Sequence, residues 1–231
     1  MTQDTRVRKL CYRVSLFEMY MEPTITAEGE ILKAVNKFTY LGSTLSKSVN
    51  IDDEADACIT KASSVFGRLQ ELVWERRGIK LSTKLKKYRA VILSTLLYAC
   101  ETWTVYEHHA KKLNRFHMNC LRRLLKMIWQ DKVPDTDVFS QAGLLSIYSQ
   151  LRRAQVRWVG HPVRMPDLRL PKRLFCGELV EGKCSQGGQK KCFNGTLKVS
   201  LKSFGIDPDS GEILAQDRPA WRSCIRRGTT S

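Results

Sequence analysis

The stretch SVNIDDEAD, residues 48–56, sets Asp52 beside Asp53 in a chain that is otherwise strongly basic. Adjacent carboxylates can hold divalent cations for chemistry on nucleic acid. A two-metal site, however, needs carboxylates arriving from neighbouring backbone segments so that the ions lie close together. The same residues have a second use. Asn50 can cap a helix through its side chain, which places Ile51, Asp52 and Asp53 in the first turn, where negative charge meets the positive end of the helix dipole. The spacing therefore predicts a helix start, and neither a catalytic residue nor a metal ligand is assigned.

The other reactive side chains are less organised. Eight cysteines stand at 11, 58, 100, 120, 176, 184, 192 and 224 without a single Cys-x-x-Cys pair, and tetrahedral zinc needs such close-spaced ligands. His117-Met-Asn-Cys120 and the even ladder Cys176, Cys184, Cys192 are the best alternatives, whereas Cys58, Cys100 and Cys120 read as small apolar residues in helices. No nucleotide-phosphate loop, Ser-His-Asp arrangement or zinc-protease motif occurs, and Gly187-Gly188 alone does not make a phosphate cradle. His161 has no nucleophile beside it to activate. No cofactor is implied.

Charge is the stronger signal. With 39 Lys+Arg against 23 Asp+Glu the net charge is +16, which favours a polyanionic partner, either nucleic acid (RNA or DNA) or an acidic membrane surface, and composition alone does not choose between them. The excess is striped: residues 61–90 carry nine basic residues against two acids, and residues 145–192 carry ten against three. Lys84, Lys86 and Lys87 fall away from the apolar face of one predicted helix, and Lys111, Lys112, Arg115, Arg122, Arg123 and Lys126 do so on another. LRRAQVRWVGHPVRM, residues 151–165, interleaves Arg152, Arg153, Arg157 and Arg164 with Trp158 and His161, a mixture suited to phosphate contact and base stacking. Trp158 falls on the apolar side of its helix, which favours core packing for that ring. Lys190 and Lys191 close the glycine-rich run EGKCSQGGQKK. These basic side chains and His161 form the candidate nucleic-acid-binding set, with non-specific phosphate contact as its chemistry. An acidic protein partner is the alternative reading of the same charges.

The elements that must position them are mostly helical. EPTITAEGEILKAVNKFTYLGSTLS reads as two short strands around Glu28-Gly29. From Ile51 to Arg77 the apolar residues Ala55, Ile59, Ala62, Phe66, Leu69 and Val73 recur at steps of three and four, a helical face. Further helices are predicted from Ser82 to about Cys100, from Glu107 to Ile128, from Thr136 to Ala142 and from Ile147 to about Val159, after which Pro162, Pro166 and Pro171 interrupt the chain. Two more follow at roughly 193–204 and 212–226. The fold class is mainly α: a short β-hairpin on the N-terminal side, a basic helical bundle and a loop-rich C-terminal helical segment. The longest uncharged apolar run, Val91 to Cys100, is too short to cross a bilayer. The N-terminal residues lack the apolar core of a secretory signal. The expectation is a protein of the nucleus or cytoplasm, with no membrane partner and with reduced thiols.

KFTYLGSTLS (37–46), LLYACETW (96–103), FHMNCLRRLLKMIWQDKVPDTDV (116–138), RWVGHPVRMPDLRLPK (157–172), GELVEGK (177–183) and LAQDRPAWRS (214–223) together resemble the C-terminal part of the reverse-transcriptase polyprotein of non-LTR (LINE-type) retrotransposons. These are elements that carry an endonuclease ahead of an RNA-directed DNA polymerase. The likeness runs from about residue 23 to the end. It implies that Tyr40-Leu41-Gly42 marks the end of a polymerase palm, so that residues 23–46 are a palm-end hairpin. It likewise implies that residues 47–133 are a thumb-like bundle and 134–231 a basic C-terminal extension with a linker around 181–192. Residues 1–22 are unassigned. The aromatic-x-Asp-Asp box of the parent enzyme, which would hold Mg2+, is absent, because Asp52 and Asp53 come after YLG. The resemblance thus implies descent from a reverse transcriptase, while the missing box leaves the expectation that this chain is inactive on its own. The sequence departs from the family pattern at Pro162, Cys184, Cys192 and Gly211.

Overall fold

The computed structural model of the chain describes residues 26–27, 30–31, 35–40, 42–46, 51–176, 191–208 and 210–228. Mainly α architecture is observed: ten α-helices among the described residues, with β-structure confined to the N-terminal side. Strands β1 (Thr26–Ala27) and β2 (Glu30–Ile31) flank Glu28-Gly29 as expected. A second, longer hairpin then joins β3 (Lys37–Tyr40) to β4 (Ser43–Ser46) with Tyr40 opposite Ser43. Just before Ser43, Gly42 has φ +84°, a left-handed value that a residue without Cβ adopts cheaply. YLG is therefore a hairpin turn. The sequence reading missed it because the loop offers one glycine and none of the Asn-Gly or Asp-Gly pairs that advertise such turns.

Helix α1 spans Asp52–Arg68, with Ile51 at its N-cap making no side-chain capping bond; the capping role expected of Asn50 falls on a residue outside the described ones. The helix stops short of the expected Arg77. At Gln70–Trp74 the turns widen, Trp74 N–H donating to the Leu69 carbonyl five residues back at 3.1 Å. That extra residue swings Trp74 inward, where its ring stacks 5.2 Å from Phe66 and its Nε1 donates to the Phe66 carbonyl at 2.9 Å.

The second predicted helix is α2 (Leu81–Lys87), a widened segment Tyr88–Leu93, and α3 (Ser94–Leu96). Helix α4 covers Glu107–Leu125 and α5 covers Asp135–Ala142, which stops at Gly143 with φ +57°. Helix α6 runs Ile147–Val163, started by the Ser146 side chain accepting from Ser149 N–H at 3.3 Å. It continues through Pro162, the first of the three prolines expected to interrupt the chain. Sitting in the last turn, that proline forfeits one backbone bond, and its ring is fully buried. Helix α7 is Leu170–Cys176 and α8 is Phe193–Ser203. The last predicted helix divides into α9 (Gly211–Gln216) and α10 (Arg218–Gly228), because Asp217 accepts from Ala220 N–H at 3.1 Å and starts a fresh helix with Pro219 in its first turn.

Two apolar cores result among the described residues. One gathers buried residues from Cys58 to Leu151, including Phe66, Trp74, Tyr88, Leu113 and Leu121; the other gathers Val156 to Ile225, including Leu201, Phe204 and Trp221. Helix α6 belongs to both, giving Ile147 and Leu151 to the first and Val156, Val159 and Val163 to the second. Cys58, Cys100 and Cys120 are buried in the first core, as their apolar settings implied. No helix among the described residues is long and apolar enough to cross a membrane.

Candidate nucleic-acid interface

The acidic residues of the SVNIDDEAD stretch are committed to structural ties. Asp52 Oδ1 accepts from His109 Nε2 at 2.8 Å and lies 3.2 Å from His108 Nε2, joining α1 to α4. Asp53 accepts from Lys37 Nζ of β3 at 2.7 Å. Glu54, buried, accepts from Ser43 Oγ at 2.9 Å and from Thr44 N–H of β4. Asp56 pairs with Lys112 of α4. One acidic turn thus pins the second hairpin and α4 to α1.

Asp52, His108 and His109 also bring three potential ligand atoms within 4.8 Å of one another. His109 Nδ1 accepts the Tyr106 backbone N–H at 3.2 Å, so the proton of the neutral ring sits on Nε2 and points at Asp52. A metal would need that same nitrogen, while a metal-bound histidine ordinarily donates from its other one. The trio works as a hydrogen-bonded clasp. Those bonds, His109 first, hold the Asp52 carboxyl below its usual range, while burial pushes the His109 imidazole down.

The candidate cations divide into three groups. Several serve the fold. Lys84, expected on the outer face of its helix, is buried, and its Nζ donates to the Trp74 carbonyl at 2.6 Å. The widened turns at Gln70–Trp74 end there and leave a carbonyl in need of a donor, which a periodicity argument cannot foresee. Lys111 pairs with Glu107 at 2.8 Å and Lys112 with Asp56. Arg122 binds Asp135 at 2.9 Å and the Val133 carbonyl at 2.8 Å. Arg123 donates to Gln70 Oε1 at 3.1 Å and lies 5.4 Å over the Phe66 ring. Arg164 donates to the Ala215 carbonyl at 2.8 Å, tying α6 to α9. Trp158 packs edge-on against Phe175 and Phe193, the packing role expected of it.

A second group faces solvent: Lys86, Lys87, Arg115, Lys126 and His161 are all exposed. Lys190 lies outside the described residues.

The third group converges. Arg153 and Arg157, one turn apart on α6, line an open cleft of about 420 Å³ together with Arg89, Gln150, Glu101 and the Gly143 turn. Arg89 holds its place by donating to the Gly143 carbonyl at 2.8 Å, and all three arginines are exposed. One carboxylate, Glu101, faces three guanidinium groups, so the cleft keeps a net positive charge. The sequence reading found Arg153 and Arg157 and missed Arg89. The basic run Lys84-x-Lys86-Lys87-x-Arg89 was a signal, but a neighbour 54 residues away was not legible.

On the other flank of α6 lies a cleft of about 430 Å³, with Arg152 and Lys191 among its lining residues. At 100° per residue, Gln150, Arg153, Ala154 and Arg157 fall on one side of the helix and Tyr148, Leu151, Arg152 and Gln155 on the other. The arginines of LRRAQVR thereby serve two separate concavities.

The chain is 21% identical over 210 residues to a protein of Caenorhabditis elegans described as transposon-derived, a match covering 87% of this chain and 74% of the relative. This supports a transposon origin. No protein-family model matches the chain, and no solved structure matches it.

Proposed function

We propose that the chain is a non-catalytic, thumb-like helical part of a retrotransposon RNA-directed DNA polymerase, and that it binds RNA or DNA by backbone phosphates. The observation that carries the binding claim is the cleft in which Arg89, Arg153 and Arg157 converge against one acid. Guanidinium groups suit phosphate oxygens because each is a fixed fork of donors that stays charged at any working pH. The transposon-derived relative supports the ancestry, and the segments quoted from the sequence support its polymerase type.

Catalysis has no seat in the acidic pair. Asp52 and Asp53 lie in the first turn of one helix and bond to His109 and Lys37 instead of converging from separate strands. What remains is electrostatic holding. The arginines and lysines of the clefts neutralise phosphates and release the cations condensed on the strand, and this release drives association without reading sequence.

The deciding experiment is a fluorescence-anisotropy titration of the protein with labelled RNA and duplex DNA across a salt series. Binding that weakens steeply with salt supports the proposal; no binding at low salt, or binding indifferent to salt, overturns it. The alternative, a host-adopted module docking an acidic protein, predicts an association that survives nuclease treatment in a pull-down, where a nucleic-acid bridge would be lost.

A further inference from the structure

The cleft on the second flank of α6 is built unlike the first. Its walls are apolar and aromatic, from Val105, Tyr106, Tyr148, Leu151 and Val199, and its floor carries Gln155 and Ser200. Both floor residues are buried, and they are fixed by a chain of bonds: Gln155 Nε2 donates to the Trp103 carbonyl at 2.9 Å, and Ser200 Oγ donates to Gln155 Oε1 at 3.0 Å. Two cations, Arg152 and Lys191, share the lining and are exposed. Lys191 Nζ stands 5.6 Å over the Tyr106 ring, and its backbone N–H lies 3.4 Å from Tyr106 Oη. The one acid of the lining, Glu107, is paired with Lys111 at 2.8 Å and also feels the charge of Lys191, and the two lining cations outnumber it.

An apolar slot with tyrosines in its walls, polar groups on its floor and exposed cations at its edge asks for a ligand that is flat and unsaturated at one end and anionic at the other. A nucleotide has that form: the base meets the aromatic walls and its phosphate meets the cations. We infer that this cleft receives one unpaired base of a bound strand, with Tyr106 and Tyr148 flanking the ring and Arg152 and Lys191 meeting the adjoining phosphate. Stacked bases inside a blunt duplex cannot enter, so the cleft gives preference to single strands, overhangs and strand ends. This rests on the nucleic-acid reading above and adds to it a substrate class and a second site.

The test compares three ligands of matched charge at one salt concentration: a short single strand, the same strand with abasic positions, and a blunt duplex. Wild-type protein should bind the ordinary strand about fivefold or more tightly than the abasic one, the scale of stacking one base on an aromatic side chain. Tyr148→Leu, which keeps the wall apolar and protects the core beneath, should clearly reduce that difference and leave abasic binding as it was. Arg152→Gln with Lys191→Gln should weaken both strands together. Equal wild-type affinity for ordinary and abasic strands overturns the base cleft while leaving phosphate binding intact. A difference that persists undiminished in Tyr148→Leu also overturns it. Loss of all salt-dependent binding would instead remove the function on which it rests.

Discussion

Trp221 of α10 lies against Gly160 of α6 so closely that a Cβ at position 160 would stand 2.3 Å from the indole Nε1 and 2.8 Å from Cδ1. Both residues are buried in the second core. Gly160→Ala should therefore lower stability by about 1–3 kcal/mol, the usual cost of overfilling a packed site. Pairing it with Trp221→Leu should give a double variant less destabilised than the two single effects added together. Urea unfolding of the four proteins checks this.

His117 is fully enclosed, with Nδ1 2.8 Å from Tyr88 Oη and its ring stacked 5.7 Å from Phe139. Burial pushes its imidazole from 6.5 down to about 4. The unfolded chain takes up this proton first as pH falls, so the stabilisation is whole above about pH 6.5 and is lost between there and about pH 4. The loss amounts to about 3 kcal/mol. His117→Leu combined with Tyr88→Phe should flatten that part of the stability profile, measured by denaturant titration at a series of pH values.

Lys84 and Arg153 were indistinguishable as basic residues in sequence, yet they should behave oppositely. Lys84→Met leaves the buried Trp74 carbonyl without its donor and should cost about 1–3 kcal/mol of stability. Affinity of the folded protein for nucleic acid should stay unchanged. Thermal melts and anisotropy run on the same samples separate the two effects.

Arg153→Gln with Arg157→Gln removes two exposed cations from one cleft. Fold stability should hold, while the slope of log K against log salt should flatten by about 1.8 on duplex DNA or about 1.4 on a single strand. An unchanged slope would show that this cleft meets no phosphate.

Burial raises the thiols of Cys58 to about 11 and of Cys100 and Cys120 to about 12. Since the thiolate is the reactive form, these three should resist alkylation in the native protein and label readily once it is unfolded. Peptide mass spectrometry after brief exposure to iodoacetamide reads the difference.

What could be read from sequence was whatever rests on local periodicity. Helices α1, α4 and α5 begin within a residue or so of the positions their apolar spacing and helix-start residues predict, and Trp158 packs as its helix face implied. Widened turns were not readable, because the insertion at Gln70–Trp74 is driven by Trp74 stacking on Phe66, a packing gain that no propensity records. The same blind spot hid Lys84, whose burial follows from that insertion. Pro162 misled in the other direction: a proline in a final turn is cheap, and only the structure shows the turn is final. For the site, charge alone named Arg153 and Arg157. Their meeting with Arg89 depends on the Gly143 turn bringing distant segments together.

Helix α6 spans both apolar cores, and that has a consequence for how the molecule comes apart. A segment wedged into two interiors cannot fray from one end without uncovering the other, so neither half has a cheap route to opening by itself. Hydrogen exchange along Ile147–Val163 should accordingly be slow throughout, with its amides released only in the global unfolding event.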